Sequence, residues 1–198
     1  MSDTEKSAQN GGLEHAPTPV FSEGDYVVYP NHGAGCVAAI EEKNILGENR
    51  RYYVIYIPEA GLTLSIPADG QSDLRPCSDE ESVSAALTAL RSEVSEMPSN
   101  WNHRLKHNRE KIRDGEIVQV SEVVRNLSAY GSGHGLSTGE RNMLLKARRI
   151  LVSEIALVKK IATEEAESLV GEALRDGADN AAANADSNGG GGEKDGAG

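Results

Sequence analysis

The chain has 198 residues and a formal net charge of −11, with 31 acidic residues against 20 Lys and Arg, which is enough for one ordinary domain or two small ones. No apolar run approaches the ~18 residues of a membrane span, and we expect no signal peptide in the polar N-terminus. Cys36 and Cys77 stand 41 positions apart without a CxxC motif. We therefore expect neither a disulfide framework nor a zinc site, and a reducing, cytoplasmic location.

The charge is unevenly distributed along the chain. Residues 23–100 sum to −8, whereas residues 101–160 carry twelve bases and six acids and sum to +6. Residues 161–198 carry nine acids against two bases. A basic segment therefore follows an acidic one, so nucleic acid stays open as a partner despite the overall charge.

The two ends of the chain have low-complexity composition without apolar periodicity. Residues 1–20 are predicted to be a disordered tail, and residues 176–198 a disordered acidic tail. Such segments cannot bury enough apolar area to offset the entropy of ordering them.

Residues 21–78 show the spacing of short β-strands. The strongest candidate is 52–57, which is rich in aromatic and β-branched residues. Weaker candidates, separated by turns, are 25–29, 36–40, 62–66 and 74–75. Several short strands with tight turns predict a small, strongly bent antiparallel barrel.

Residues 79–175 have helical periodicity throughout and predict a five-helix domain, which makes the fold class α+β. Capping boxes are predicted at Ser78 and Ser137, and Ser99 is predicted to cap the second helix. The glycine-rich stretch 131–135 is interpreted as a linker, and Thr163 as the start of the last helix.

No arrangement of residues points to an enzyme. The glycines of Asn31–Gly35 are explained by a hairpin turn, because no helix follows to complete a phosphate-binding loop. His103 and His107 have the spacing of zinc ligands but lack the glutamate of an HExxH motif. We therefore predict no catalytic residue, no metal site and no cofactor.

The single tryptophan, Trp101, stands directly before a basic run that includes Arg104 and Lys106. Cations that hold phosphates beside an aromatic ring suit a protein that presses on bent or opened DNA. Trp101 also forms a helical stripe with Leu105 and Ile112, which is typical of core residues. The residues alone leave both interpretations open.

Four motifs, in order along the chain, are informative together. They are Phe21-x-x-Gly24-Asp25-Tyr26-Val27-Val28-Tyr29-Pro30-Asn31-His32-Gly33; Leu62-Thr63-Leu64-Ser65-Ile66-Pro67; Asn100-Trp101 with Arg104, Lys106 and Asn108; and Gly135-Leu136-Ser137-x-Gly139-Glu140 with Met143-Leu144-x-Lys146-Ala147-Arg148. From about Phe21 to Leu174, this series resembles the CarD family of bacterial transcription regulators (the CarD/CdnL group).

The resemblance implies a Tudor-like domain at 21–78 that docks on the β subunit of RNA polymerase. It also implies a helical domain at 79–175 that contacts promoter DNA at the upstream edge of the transcription bubble, where the tryptophan wedges into the minor groove and holds the open complex. The DNA-binding residues would be Asn100, Trp101, His103, Arg104, Lys106, Arg141 and Lys146. The polymerase-binding residues would be Lys43, Ile45, Arg50, Arg51 and Ser65.

Two positions depart from the family, because a basic residue is common where this chain has Ser65, and arginine where it has His103. A monomer is expected, associated with the nucleoid through the polymerase. The alternative is an adaptor that binds only protein, with an acidic partner on its basic helices and with Trp101 in its core.

Overall fold

The computed structural model describes residues 20–30, 32–45, 47–69 and 73–188. Five strands precede five helices, which confirms the predicted α+β class. The elements are β1 (Tyr26–Tyr29), β2 (Gly33–Ile45), β3 (Glu48–Ile57), β4 (Leu62–Pro67), β5 (Arg75–Pro76), α1 (Glu80–Arg91), α2 (Trp101–Asp114), α3 (Ile117–His134), α4 (Thr138–Lys159) and α5 (Thr163–Asn188). Residues 1–19 and 189–198 of the two predicted tails lie outside the described residues.

The strands form one antiparallel sheet in the order β4-β3-β2-β1-β5. Alternate residues of β3, Tyr53, Ile55 and Ile57, are buried on one face, as the period of two in a strand requires. A register shift between Val37 and Ala39 marks a bulge, which bends β2. Among the described strands β4 and β5 do not pair with each other, so the sheet is bent but not closed into the predicted barrel.

Polar side chains one residue beyond the predicted caps begin the first two helices. Asp79, not Ser78, accepts a hydrogen bond from the Ser82 amide at the start of α1. Asn100, not Ser99, caps α2, where its side chain accepts hydrogen bonds from the Asn102 and His103 amides. Ser, Asp and Asn are about equally good caps, so the sequence alone could not choose between the adjacent candidates. The capping box at Ser137 is confirmed.

The third helix is longer than predicted and removes the expected glycine-rich linker. α3 continues through Gly131 to His134, where Tyr130 and His134 stack with their ring centroids 4.8 Å apart. A β-carbon on Gly131 would lie 3.1 Å from Leu136. The glycine therefore permits close packing inside a helix instead of breaking it.

The last helix is also longer than predicted. α5 runs to Asn188, so the predicted disordered tail from residue 176 is wrong over 176–188. Gly177 packs against α1 so closely that a β-carbon would lie 2.8 Å from the Leu90 carbonyl oxygen. Arg91 of α1 also pairs with Asp176 at 3.1 Å. Tertiary contacts with α1 thus order a segment that composition alone would leave unfolded.

The described residues form two hydrophobic cores, and the second joins the domains. The first lies within the sheet, around Val37, Tyr53 and Ile55. The second lies among the helices but includes Val28 and Ala34 of the hairpin. The Ala34 amide donates to the Ser153 hydroxyl of α4 at 2.9 Å, across 119 positions of sequence. The hairpin is therefore packed directly against α4.

Candidate nucleic-acid interface

Trp101 is the first residue of α2 and is 53% exposed. It lies on the same helical face as the buried Arg104, Asn108 and Ile112, and of the predicted apolar stripe Ile112 is buried in the core and Leu105 packs against it. Trp101, however, precedes the first buried residue of that face by nearly a turn. The interpretation of Trp101 as core is therefore wrong, and a large ring is left half-exposed at the start of a helix.

Arg104, which sequence reasoning assigned to DNA, is only 4% exposed. Its Nε donates to Glu140 Oε1 of α4 at 2.7 Å, and its NH1 group donates to the backbone carbonyls of Pro98 and Ser99. Its guanidinium also lies 4.3 Å from the centroid of the Tyr130 ring. All these contacts are internal, so Arg104 is corrected from a phosphate contact to a residue that seats α2 on α3 and α4.

Glu140 is the partner that holds Arg104 in place, a role that the sequence alone did not reveal. The same carboxylate that completes the Ser137 capping box binds Arg104, with a shortest N–O distance of 2.6 Å. Burial alone would raise the pKa of Glu140, but hydrogen bonds from Ser137 and Arg104 outweigh it and hold the pKa below its ordinary value. The capping box was visible in the sequence, whereas its arginine partner 36 positions away was not.

The exposed cations of α2 follow Trp101 along the helix and, at about 100° per residue, lie roughly 80–140° around its axis from Trp101. Lys106, Arg109 and Arg113 are exposed at spacings of three and four residues, which places them along one side of the helix. His103 is exposed one turn from the capping residue Asn100, whose side chain accepts from the Asn102 and His103 amides. The basic run therefore offers phosphate-binding groups, although with Arg109 and Arg113 in place of Arg104.

The basic residues of α4 do not form one patch. Lys146 borders a cavity that faces α2. Arg141 instead borders a separate depression against the end of α3, beside Gly131 and Leu136. Arg148 is held by Glu167 at 2.6 Å. The structure therefore places Lys146 next to Leu105 and Arg109 of α2 and leaves Arg141 in a different depression.

Four of the five predicted polymerase-binding residues lie on one outer face of the sheet. Residues directly paired in an antiparallel sheet share a face, and the pairs Lys43–Arg50, Ile45–Glu48 and Val54–Ser65 place them there. Lys43 Nζ donates to the Ser65 hydroxyl at 2.8 Å and lies 5.7 Å from the Tyr52 ring centroid. Arg51 pairs with Glu42 and lies on the opposite face.

The described residues hold no group of three or more His, Cys, Asp and Glu side chains that could bind a metal ion. Across the same part of the chain, no helix is long and apolar enough to span a membrane.

Comparison with known proteins gives matches over both parts of the chain. Residues 21–78 match the CarD-like/TRCF RID domain, and residues 85–171 match the CarD C-terminal domain. A Bacillus subtilis (strain 168) protein named "Putative transcription factor YdeB" is 36% identical over 151 residues, which cover 75% of this chain and 99% of that protein. The Bacillus subtilis relative is thus named as a transcription factor.

Proposed function

Because the chain belongs to the CarD family of transcription regulators, we propose that it binds the β subunit of RNA polymerase through its sheet and stabilises the open promoter complex. In that complex Trp101 wedges into DNA at the upstream edge of the transcription bubble. The protein acts by binding and performs no chemical step.

The half-exposed ring of Trp101 carries this proposal. The exposed part of an aromatic ring contributes little to folding stability. A rigidly held ring at the surface is suited to insertion at a base step of DNA. Rigidity comes from the buried pair of Arg104 and Glu140 one turn away. Phosphate binding comes from Lys106 and Arg109, which are exposed further along α2, on the adjoining side of the helix.

The sheet offers two features for docking on a protein. β4 is an edge strand, so one row of its backbone donors and acceptors is available for an added strand. Ile45 and Leu62 are exposed apolar residues, at 45% and 40%. Because few cations are available for DNA, affinity for DNA alone is expected to be weak, and tethering to the polymerase supplies the effective concentration.

The decisive experiment measures the lifetime of open complexes formed by purified polymerase with the full chain. Trp101→Ala is expected to shorten the lifetime several-fold, since one wedged aromatic is worth about 1–3 kcal/mol, and to change the free energy of unfolding little. Leu145→Ala is the matched control, because Leu145 is 59% exposed on α4. An unchanged lifetime for Trp101→Ala would contradict the wedge.

Docking is tested separately by capture of polymerase on the immobilised full chain. Ile45→Asp is expected to reduce capture, because it places an unpaired charge on the outer face of the sheet. Leu145→Asp makes the same change on the helical domain and should leave capture intact. Equal capture by both variants would move the docking surface away from this face.

A further inference from the structure

A cavity of about 400 Å³ lies between α2 and α4. Its lining includes the apolar side chains of Leu105, Ile112 and Met143 and the cationic side chains of Arg109, Arg113 and Lys146. This volume lies within the range of ligand sites, about 300–1,000 Å³. We call this cavity the α2–α4 groove.

The charge in the groove favours an anion. Burial lowers the pKa of Lys146, and the neighbouring charge of Arg109 lowers it further, so the two cations are close enough to repel each other. Asp73 is the one acid among the described residues that line the groove. A bound anion would relieve this repulsion.

The groove begins close to the proposed wedge. Leu105, Arg109 and Ile112 follow Trp101 at spacings of four, eight and eleven residues, which places all four on one side of the helix. Arg109 is about 12 Å from Trp101 along the helix axis, at 1.5 Å per residue. A nucleotide displaced at the ring would therefore meet the groove within one or two nucleotide lengths.

We propose that the α2–α4 groove binds one unpaired nucleotide of single-stranded DNA, with the base against Leu105 and Met143 and its phosphate against Arg109 and Lys146. The occupant is amphipathic, because the groove combines an apolar wall with cations. A paired duplex keeps its base faces stacked inside the helix, which would leave the apolar wall uncovered. This inference rests on the proposed function, since DNA melted beside Trp101 supplies the nucleotide.

The test compares three labelled DNAs binding to the full chain: a duplex, a fork with unpaired bases, and the same fork with abasic sites at the unpaired positions. The intact fork should bind on the order of five-fold or more tightly than the abasic fork, the effect of about 1 kcal/mol or more from a bound base. Equal affinity for the intact and the abasic fork would overturn the proposal that the groove binds a base. Competition by free deoxynucleoside monophosphate as strong as competition by the unpaired strand would overturn its assignment to single-stranded DNA.

A groove-filling variant locates the effect. A β-carbon on Gly139 would lie 3.7 Å from Leu105 Cδ1, an ordinary contact, so Gly139→Phe should fold and fill the groove. It is expected to abolish the preference for the intact fork while leaving duplex affinity within two-fold, roughly the spread of surface changes. Gly133→Phe is the matched control and should keep the preference, because a β-carbon on Gly133 would meet nothing within 4 Å.

Asn142→Trp serves as a second filler, because Asn142 is exposed at the edge of the groove. Retention of the preference by a folded Gly139→Phe or Asn142→Trp protein would overturn the assignment. Failure of the wedge would appear differently, as an open-complex lifetime that Trp101→Ala does not change.

Discussion

Glu154 of α4 is fully buried and binds both terminal nitrogens of Arg75, which belongs to the last strand of the sheet, at 2.7 Å each. The same carboxylate accepts a hydrogen bond from the Ser78 amide at 2.8 Å. The chain segment between the sheet and the helices is therefore fastened to the C-terminal half of α4. This contact fixes the surface proposed for polymerase relative to the surface proposed for DNA.

Breaking this pair should destabilise the protein strongly. Glu154→Ala is expected to lower the free energy of unfolding by about 3–5 kcal/mol, because it leaves a partly buried guanidinium without its partner. Glu167→Ala, which breaks the more exposed pair with Arg148, should cost at most about 1 kcal/mol. Urea denaturation of both variants provides the comparison, and equal losses would contradict a structural role for Glu154.

Arg104 and Lys106 should separate stability from DNA binding. Arg104→Ala removes one partner of the buried pair with Glu140 and should cost about 3–5 kcal/mol of unfolding free energy. Lys106→Ala should change stability by no more than about 0.5 kcal/mol, yet reduce the salt dependence of DNA binding by about one unit of slope. If Arg104→Ala leaves stability unchanged but reduces the salt dependence of DNA binding, Arg104 would be a phosphate contact after all.

Glu140 should make part of the stability depend on acid pH. Its pKa is lower in the folded protein than in the unfolded chain, so its contribution is complete above the unfolded value of about 4.3 and is lost as pH falls towards the folded value. The stability difference between wild type and Glu140→Gln should therefore be constant from about pH 8 to 5 and shrink below about pH 4. A difference that persists unchanged at about pH 3 would exclude this linkage.

Cys77 should be an unreactive thiol while the domains remain packed. Burial, and then the nearby Glu154 carboxylate, raise its pKa to about 12, and the thiolate is the reactive form. In a Cys36→Ser background, which leaves Cys77 as the remaining cysteine, alkylation at about pH 8 should be slow and should reach the rate of a simple thiol in denaturant. Fast alkylation of the folded protein would indicate that the two domains separate readily.

The sequence predicted the fold class and the helix starts at Ser137 and Thr163, because strand and helix periodicity and capping are local properties. The extent of α3 and α5 was not predictable in this way. In the sequence alone, Gly131 and Gly177 suggest helix ends. In the structure each glycine lies inside a helix, where the close approach of Leu136 to Gly131 and of Leu90 to Gly177 leaves little room for a side chain. Where a helix ends because of contacts with a distant part of the chain, the local composition does not predict that end.

The candidate site was predictable in type but not residue by residue. The residues alone left Trp101 open between core and surface, and the structure shows it exposed together with Lys106, whereas Arg104 is buried. Sequence places Arg104 and Lys106 in one basic run, yet their positions on α2 differ by about 200° at roughly 100° per residue, so one is buried and the other exposed. Which cation faces inward was set by the position of Glu140 on another helix.

The contact of Gly177 with Leu90 also has a consequence for synthesis of the chain. α1 is among the first helices to leave the ribosome, but the surface that covers the end of α1 is supplied by the last helix. Domains fold as units during synthesis, from the N-terminus onward. The sheet can therefore pair its strands early, whereas the helical domain must wait for residues near 177 before its first helix is fully enclosed.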